Sequence, residues 1–156
     1  MTDESFEEVP RLRRVADYQF GAGAGEALFS GELEVIRSSS GRPVQVLAPA
    51  GRLVTFGQDG RFTLGIAGGE RLRRALAHPS YRVVVNEESE PFVRDGKNAF
   101  AKFVLESDPE IRGGDEVLVV SESDTLLAVG RAELDSTSIA DFETGMAVKV
   151  REGNKT

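Results

Sequence analysis

The 156 residues are 40% hydrophobic and 29% charged, too apolar for a disordered chain and enough for one domain with a sizeable core or two small modules. With no Cys, disulfides and thiolate metal sites are excluded; the acidic start MTDESFEEVP is no export signal, and no apolar run reaches the roughly 20 residues that span a bilayer, so a soluble cytoplasmic protein is expected. A net charge of −7 excludes coating nucleic acid by bulk electrostatics but leaves room for a local basic face.

Residues 1–10 read as a flexible acidic leader closed by Pro10. The run from Arg11 to Phe20 then places Leu12, Val15 and Ala16 on one face at helical spacing, the pattern weakening at Gln19. Gly21-Ala22-Gly23-Ala24-Gly25 is too flexible for a helix interior and suits a tight turn or a close approach to another element. Glu26 to Phe29 adds a short helical turn. The signal becomes β at Leu33–Ile36 and Val44–Leu47. Arg52–Phe56 and Arg61–Ile66 flank Gly57-Gln58-Asp59-Gly60 as an antiparallel hairpin. Gly68-Gly69 opens a second helix, Glu70 to Leu76, with Leu72, Ala75 and Leu76 inward and Arg71, Arg73 and Arg74 outward, stopped by His78-Pro79.

A second β-forming section starts at Tyr81–Val85. Glu87 to Val93 forms a short helix with acidic residues near its start, and Asp95-Gly96-Lys97-Asn98 is a tight connection. Phe100, Phe103 and Val104 supply apolar anchors. Glu116–Val120, almost wholly apolar, reads as a central strand. Thr125–Ala132 and Met146–Val150 add strands on either side of a helical turn at Ser138–Phe142. Short strands at this spacing suggest a closed or partly closed barrel. The fold class is α+β: a helix-plus-antiparallel-sheet module at 11–79, then a pseudo-barrel at 80–153.

Four stretches carry a resemblance: PFVRDGKNAFAKFV (Pro91–Val104), IRGGDEVLVV (Ile111–Val120), LLAVGRAEL (Leu126–Leu134) and GMAVKVREG (Gly145–Gly153). In this order and spacing they resemble the PUA family, named for pseudouridine synthases and archaeosine transglycosylases. ADYQFGAGAGEALF (Ala16–Phe29) is similar to the domain preceding PUA in archaeal tRNA-guanine transglycosylases. Together the likeness covers roughly residues 11–153, and it includes neither the catalytic barrel nor a Cys-rich zinc site. The resemblance implies an archaeal, noncatalytic relative of the tRNA-binding portion. The 15 Arg and 4 Lys beside 26 acidic residues suit solubility at high salt, an expectation of a halophilic source; an ordinary acidic cytoplasmic protein has the same composition.

By the same resemblance, RNA docks on the face formed by the first helix of the second module, its glycine loop and the last strand. That implies Gly96, Lys97 and Asn98, with Lys149 and Arg151 on the terminal strand and Arg131 as a further candidate. Gly96 permits close backbone approach, the cations reach phosphates, and Asn98 can donate or accept at sugar or base edges. Alternation puts Lys149 and Arg151 on one face, which equally describes a solvated strand. Arg11, Arg13 and Arg14 with Arg71, Arg73 and Arg74 extend a phosphate track if the two helices share a face; solvated helix surfaces explain them as well.

The remaining motifs favour structural roles. The glycine run lacks the Lys-Ser/Thr ending of a phosphate loop and follows a helix instead of a strand. His78 has no second His to build a metal or catalytic cluster. Asp108, Glu110, Asp115 and Glu116 lack calcium-loop spacing. Phe20, Phe29, Phe56, Phe62, Phe100 and Phe103 read as core, although one exposed Phe would matter. No catalytic residue, metal site or cofactor is expected. The leading expectation is an RNA-binding protein for structured tRNA that serves a separately encoded RNA-modifying enzyme, with no membrane partner. The alternative is an assembly module that keeps the fold without RNA affinity, as the second half suggests: residues 81–156 hold 9 cationic against 16 acidic residues, whereas residues 1–80 hold 10 of each. An independent transglycosylase is the weakest reading, since no nucleophile, base and metal set is visible.

Overall fold

The computed structural model describes residues 3–142 and 144–155. The chain divides into two compact units, Met1–Leu76 and Ala77–Thr156, each with its own core. Both mix helix and sheet.

In the first unit, α1 (Asp3–Phe20) buries Leu12, Ala16 and Phe20, one residue per turn along a single stripe. The helix reaches back past Pro10 to Asp3, so the expected leader is helical from residue 3 onward; residues 1 and 2 lie outside the described chain. A tertiary contact offsets the backbone bond that Pro10 forfeits: the largely buried Glu8 pairs with Arg37. The glycine run both turns and approaches closely. It leads into α2 (Ala24–Leu28), where a Cβ on Gly25 would stand 2.1 Å from the Arg13 carbonyl oxygen.

An antiparallel sheet follows in the order β1 (Glu34–Arg37), β2 (Pro43–Ala48), β3 (Gly51–Phe56), β4 (Phe62–Leu64). Gln19 is tied to it: its side chain accepts from the Phe62 N–H at 2.7 Å and donates to the Phe62 carbonyl at 2.9 Å, an amide standing in for a neighbouring strand. α3 (Ile66–Ala75) starts earlier than the sequence suggested and contains Gly68 and Gly69. Packing explains this, because a Cβ on Gly68 would lie 2.0 Å from the Leu53 carbonyl oxygen of β3. Leu72 is buried and Leu76 half-buried, whereas Ala75 faces solvent and Arg71 folds back onto the protein.

The second unit is a nearly closed six-stranded pseudo-barrel. Its strand order is β6 (Ala99–Phe100), β10 (Met146–Gly153), β9 (Leu126–Ala132), β8 (Glu116–Val120), β5 (Arg82–Val85), β7 (Val104–Ser107). Among the described strands, β5 and β8 are the one parallel pair. β8 is buried along its whole length, as its apolar run required. Helices α4 (Glu90–Arg94) and α5 (Ser136–Asp141) complete the unit. Asn86 and Asp135 begin the adjoining helical turns by accepting N–H groups of Ser89 and Ser138. At the buried end of β5, Arg82 is 1% exposed and makes a two-pronged pair with Asp124 at 3.0 and 3.1 Å.

Candidate nucleic-acid interface

The site begins with how α4 ends. The Gly96 N–H donates to the Val93 carbonyl and the Lys97 N–H to the Phe92 carbonyl, both at 3.0 Å, and Gly96 has φ +95°. This paired closure requires a left-handed residue after the helix, which glycine adopts without a Cβ clash. The chain then meets the last strand at once: the Val150 N–H donates to Asn98 Oδ1 at 2.9 Å. On the other side of the loop, a Cβ on Gly153 would fall 2.2 Å from the Arg94 carbonyl oxygen and 2.8 Å from the Gly96 nitrogen. The glycine loop and β10 are therefore fastened to each other. Lys97 and Lys149 lie within one residue of the Asn98–Val150 bond, and so does Arg151.

Register defines the face beside this loop. Lys149 opposes Arg131, and Arg131 opposes Glu116, so the three side chains share one side of the sheet. Arg151 reaches the same side although the register shifts between Val150 and Glu152, because its Nη2 donates to Glu116 Oε2 at 2.5 Å. Glu116 is only 5% exposed, so the pair compensates a buried carboxylate. Arg131 pairs with Glu133 at 2.9 Å. Lys97 and Lys149, both exposed, have no ion-pair partner among the described residues. The six candidates thus divide: Gly96 and Asn98 build the loop, Arg131 and Arg151 are engaged with carboxylates, and the two lysines face solvent unpaired.

Beside Lys97 and Asn98 lies a cavity of about 340 Å³, floored by Phe92, Val93, Phe100 and Phe103 with Glu88 and Ser89 at its edge. Phe92 is 62% and Phe100 42% exposed, which overturns the expectation that Phe100 belongs to the core. Its strand is two residues long at the sheet edge, so no further strand among the described residues covers the outward side of the ring. Lys102 stands 5.0 Å from the centroid of the Phe103 ring. An aromatic floor with a cation and an amide at its rim can take a flat unstacked ring and hold an attached anion. Sequence reasoning missed Phe92; the only available signal was a large aromatic directly after Pro91 in a helix too short to show a buried stripe.

The arginines of the first unit do not assemble into one track. Arg13 donates to the Phe29 carbonyl at 2.6 and 3.2 Å, and Arg71 donates to the Leu28 and Ser30 carbonyls at 2.9 and 2.8 Å. These two guanidinium groups satisfy the carbonyls left open where α2 ends. Arg73 and Arg74 both pair with Glu70, whose carboxyl is held below its ordinary range chiefly by the Arg73 hydrogen bond. Arg14 is exposed, and Arg11 points into a different cavity together with Arg37 and Arg42.

The acidic and histidine motifs have structural partners. Asp108 accepts the N–H groups of Tyr81 and Glu110, Asp115 accepts that of Arg112, and His78 pairs with Glu106.

Comparison with known proteins adds a framework to this geometry. Residues 10–79 match the patch-forming domain C2 of tRNA-guanine transglycosylase, and residues 81–153 match the PUA domain. A tRNA-guanine(15) transglycosylase of Pyrococcus furiosus is 51% identical over 143 residues, covering 91% of this chain and 24% of that protein. Its counterpart in Methanobrevibacter smithii is 43% identical over 151 residues, covering 96% of this chain and 23% of that protein. The chain thus spans about a quarter of the length of these curated relatives. Among solved structures, a hypothetical protein of Pyrococcus horikoshii shares the fold with a TM-score of 0.73 at 21% identity, over 96% of this chain and 92% of that one. A conserved PUA domain protein of Thermoplasma acidophilum gives a TM-score of 0.62 at 22% identity, over 100% of this chain and 93% of that one.

Proposed function

Because the chain joins a domain matching the C2 domain of tRNA-guanine transglycosylase to one matching the PUA domain, we propose that it is a noncatalytic RNA-binding protein for structured tRNA. The observation that carries this reading is the pair of unpaired lysines, Lys97 and Lys149, flanking the Asn98–Val150 bond beside the aromatic cavity. Lysines placed against a rigid loop position a phosphate backbone, and exposed Phe92 and Phe100 offer a surface for an unstacked base. The archaeal relatives, each named for the modification of tRNA, suggest the setting: an archaeal RNA-modification step in the cytoplasm, the protein presenting its RNA to a separately encoded enzyme. A halophilic source is part of the same proposal, resting on the excess of carboxylates and the scarcity of Lys.

The test is fluorescence anisotropy with a labelled tRNA transcript across a range of salt, using the wild type and a Lys97→Gln/Lys149→Gln variant. The variant is expected to bind more weakly at low salt and to lose about two units from the slope of log K against log salt. Equal affinity and slope in the two proteins would remove the lysines from recognition. A wild type that binds no tRNA at any salt would replace this reading with the assembly module, which the acid excess of residues 81–156 favours.

A further inference from the structure

A second cationic pocket lies in the first unit, where Arg11 of α1, Arg37 of β1 and Arg42 in the β1–β2 turn line a cavity of about 530 Å³. Among the described residues that line it, Glu8 is the one carboxylate beside three guanidinium groups. These three arginines are gathered in a half-chain, residues 1–80, that holds 10 cationic and 10 acidic residues in all. A concave wall of one sign concentrates its field on whatever enters.

The groups differ in readiness. Arg37 is fixed by its pair with Glu8 and by donation to the Gly41 carbonyl at 3.0 Å, which holds its planar fork in one place. Arg42 has only a long contact, 3.5 Å, to the Phe56 carbonyl. Arg11 has no hydrogen-bond or ion-pair partner among the described residues. The turn itself is rigid: the Ser38 N–H donates to the Arg42 carbonyl at 2.8 Å and the Arg42 N–H to the Ser38 hydroxyl at 3.2 Å. The Ser40 hydroxyl, sharing a hydrogen bond with Ser38 at 2.9 Å, adds a neutral donor at the rim. Preplaced and available guanidinium groups with a hydroxyl beside them match the oxygens of a phosphate, which arginine binds bidentately.

We propose that Arg11, Arg37 and Arg42 form a phosphate-binding site, distinct from the Lys97–Lys149 patch and independent of the RNA reading. The phosphate can come from an RNA backbone or from a free phosphorylated compound, and the chemistry of recognition is the same for both.

The experiment uses the full chain, 15N-labelled, with the arginine Nε–Hε signals followed during titration with inorganic phosphate against sodium chloride at equal ionic strength. Saturable shifts of the Arg11, Arg37 and Arg42 signals, abolished for Arg37 in an Arg11→Gln/Arg42→Gln variant, are expected. Shifts no larger than those from chloride, or an Arg37 response that persists unchanged in the variant, would overturn the site. Arg11→Gln alone guards against a folding defect, because Arg11 makes no bond among the described residues; it should weaken phosphate binding severalfold, and unchanged binding counts against the proposal. A parallel titration with a tRNA transcript names the source. If tRNA moves the same signals and the double variant loses about two units of salt slope, the site holds RNA backbone. If phosphate saturates the site while tRNA leaves it unmoved, the occupant is a free phosphorylated compound. Failure of tRNA to bind anywhere leaves the phosphate titration intact as the test of this pocket.

Discussion

Gly96 and Gly153 are both glycines of the loop-strand junction, yet they are constrained for different reasons. Gly96 needs its backbone conformation: φ +95° with open space around the position of a Cβ. Gly153 needs its missing atom, since a Cβ would stand 2.2 Å from the Arg94 backbone oxygen. Gly96→Ala should therefore cost about 1–2 kcal/mol, the penalty of an L-residue in the left-handed region, and Gly96→Asn less, because Asn tolerates that region. Gly153→Ala should cost about 1–3 kcal/mol, as overpacking does, and no choice of larger residue relieves it. Urea unfolding of the three variants checks this order; Asn as harmful as Ala at position 96 would contradict the conformational argument. The tight turn at Gly96 and the shared face of Lys149 and Arg151 could be read from the sequence because turn chemistry and strand alternation are local. The exposure of Phe92 and Phe100 could not, since a five-residue helix and a two-residue strand are too short for periodicity to mark an inward face. Nor could the Arg151–Glu116 pair, which joins residues 35 positions apart across a register shift.

At the scale of elements, β5 and α3 each depend on an ion pair of different depth. Arg82 is 1% exposed, and Asp124 answers it with both carboxylate oxygens while itself adopting φ +64°. Asp124→Asn keeps tolerance of that backbone conformation and one acceptor oxygen, but removes the charge. The loss should be about 1.5–3 kcal/mol, the range for hydrogen bonds to charged groups, read by urea denaturation. Glu70 on α3 keeps about a third of its side chain exposed and Arg74 about three quarters, so the pairs of Glu70 with Arg73 and Arg74 are partly screened and contribute below roughly 1 kcal/mol. Their pH dependence has a definite sign. The Glu70 carboxyl sits below its ordinary value of 4.5 in the folded chain, so its contribution is fully present above that value and fades as pH falls through the folded one. The stability gap between wild type and Glu70→Gln should be constant near neutrality and shrink in acid below pH 4.5; a gap that widens in acid would reverse the argument. Strand β8 and helix α1 show the same contrast between local and distant causes. β8 follows from its apolar run, whereas the reach of α1 back to Asp3 depends on Glu8 meeting Arg37, a contact no local pattern encodes.

For the whole molecule, net charge and local charge oppose each other. The chain carries −7, all of it from residues 81–156, the unit that holds the Lys97–Lys149 patch. On the proposed RNA-binding reading, long-range repulsion slows the approach of RNA, while contact at the patch is attractive only over a few ångströms. At about 0.1 M salt the Debye length is about 10 Å, so the repulsion between distant charges is suppressed before the close contacts are. Each phosphate neutralised contributes about 0.7–0.9 to the slope of log K against log salt. The unpaired cations that the two proposed sites supply are few: Lys97 and Lys149, with Arg11 and Arg42 if RNA reaches the second pocket, since Arg37, Arg131 and Arg151 already have carboxylate partners. The slope for tRNA should then be no steeper than about −4, against about −10 for a protein that relies on broad phosphate contact. Anisotropy between about 0.05 and 0.2 M salt measures it. A shallow slope would mean that shape and the aromatic cavity supply most of the affinity, which lets an acidic protein retain its RNA as salt rises. A slope near −10 would require a basic surface much larger than these cations can form.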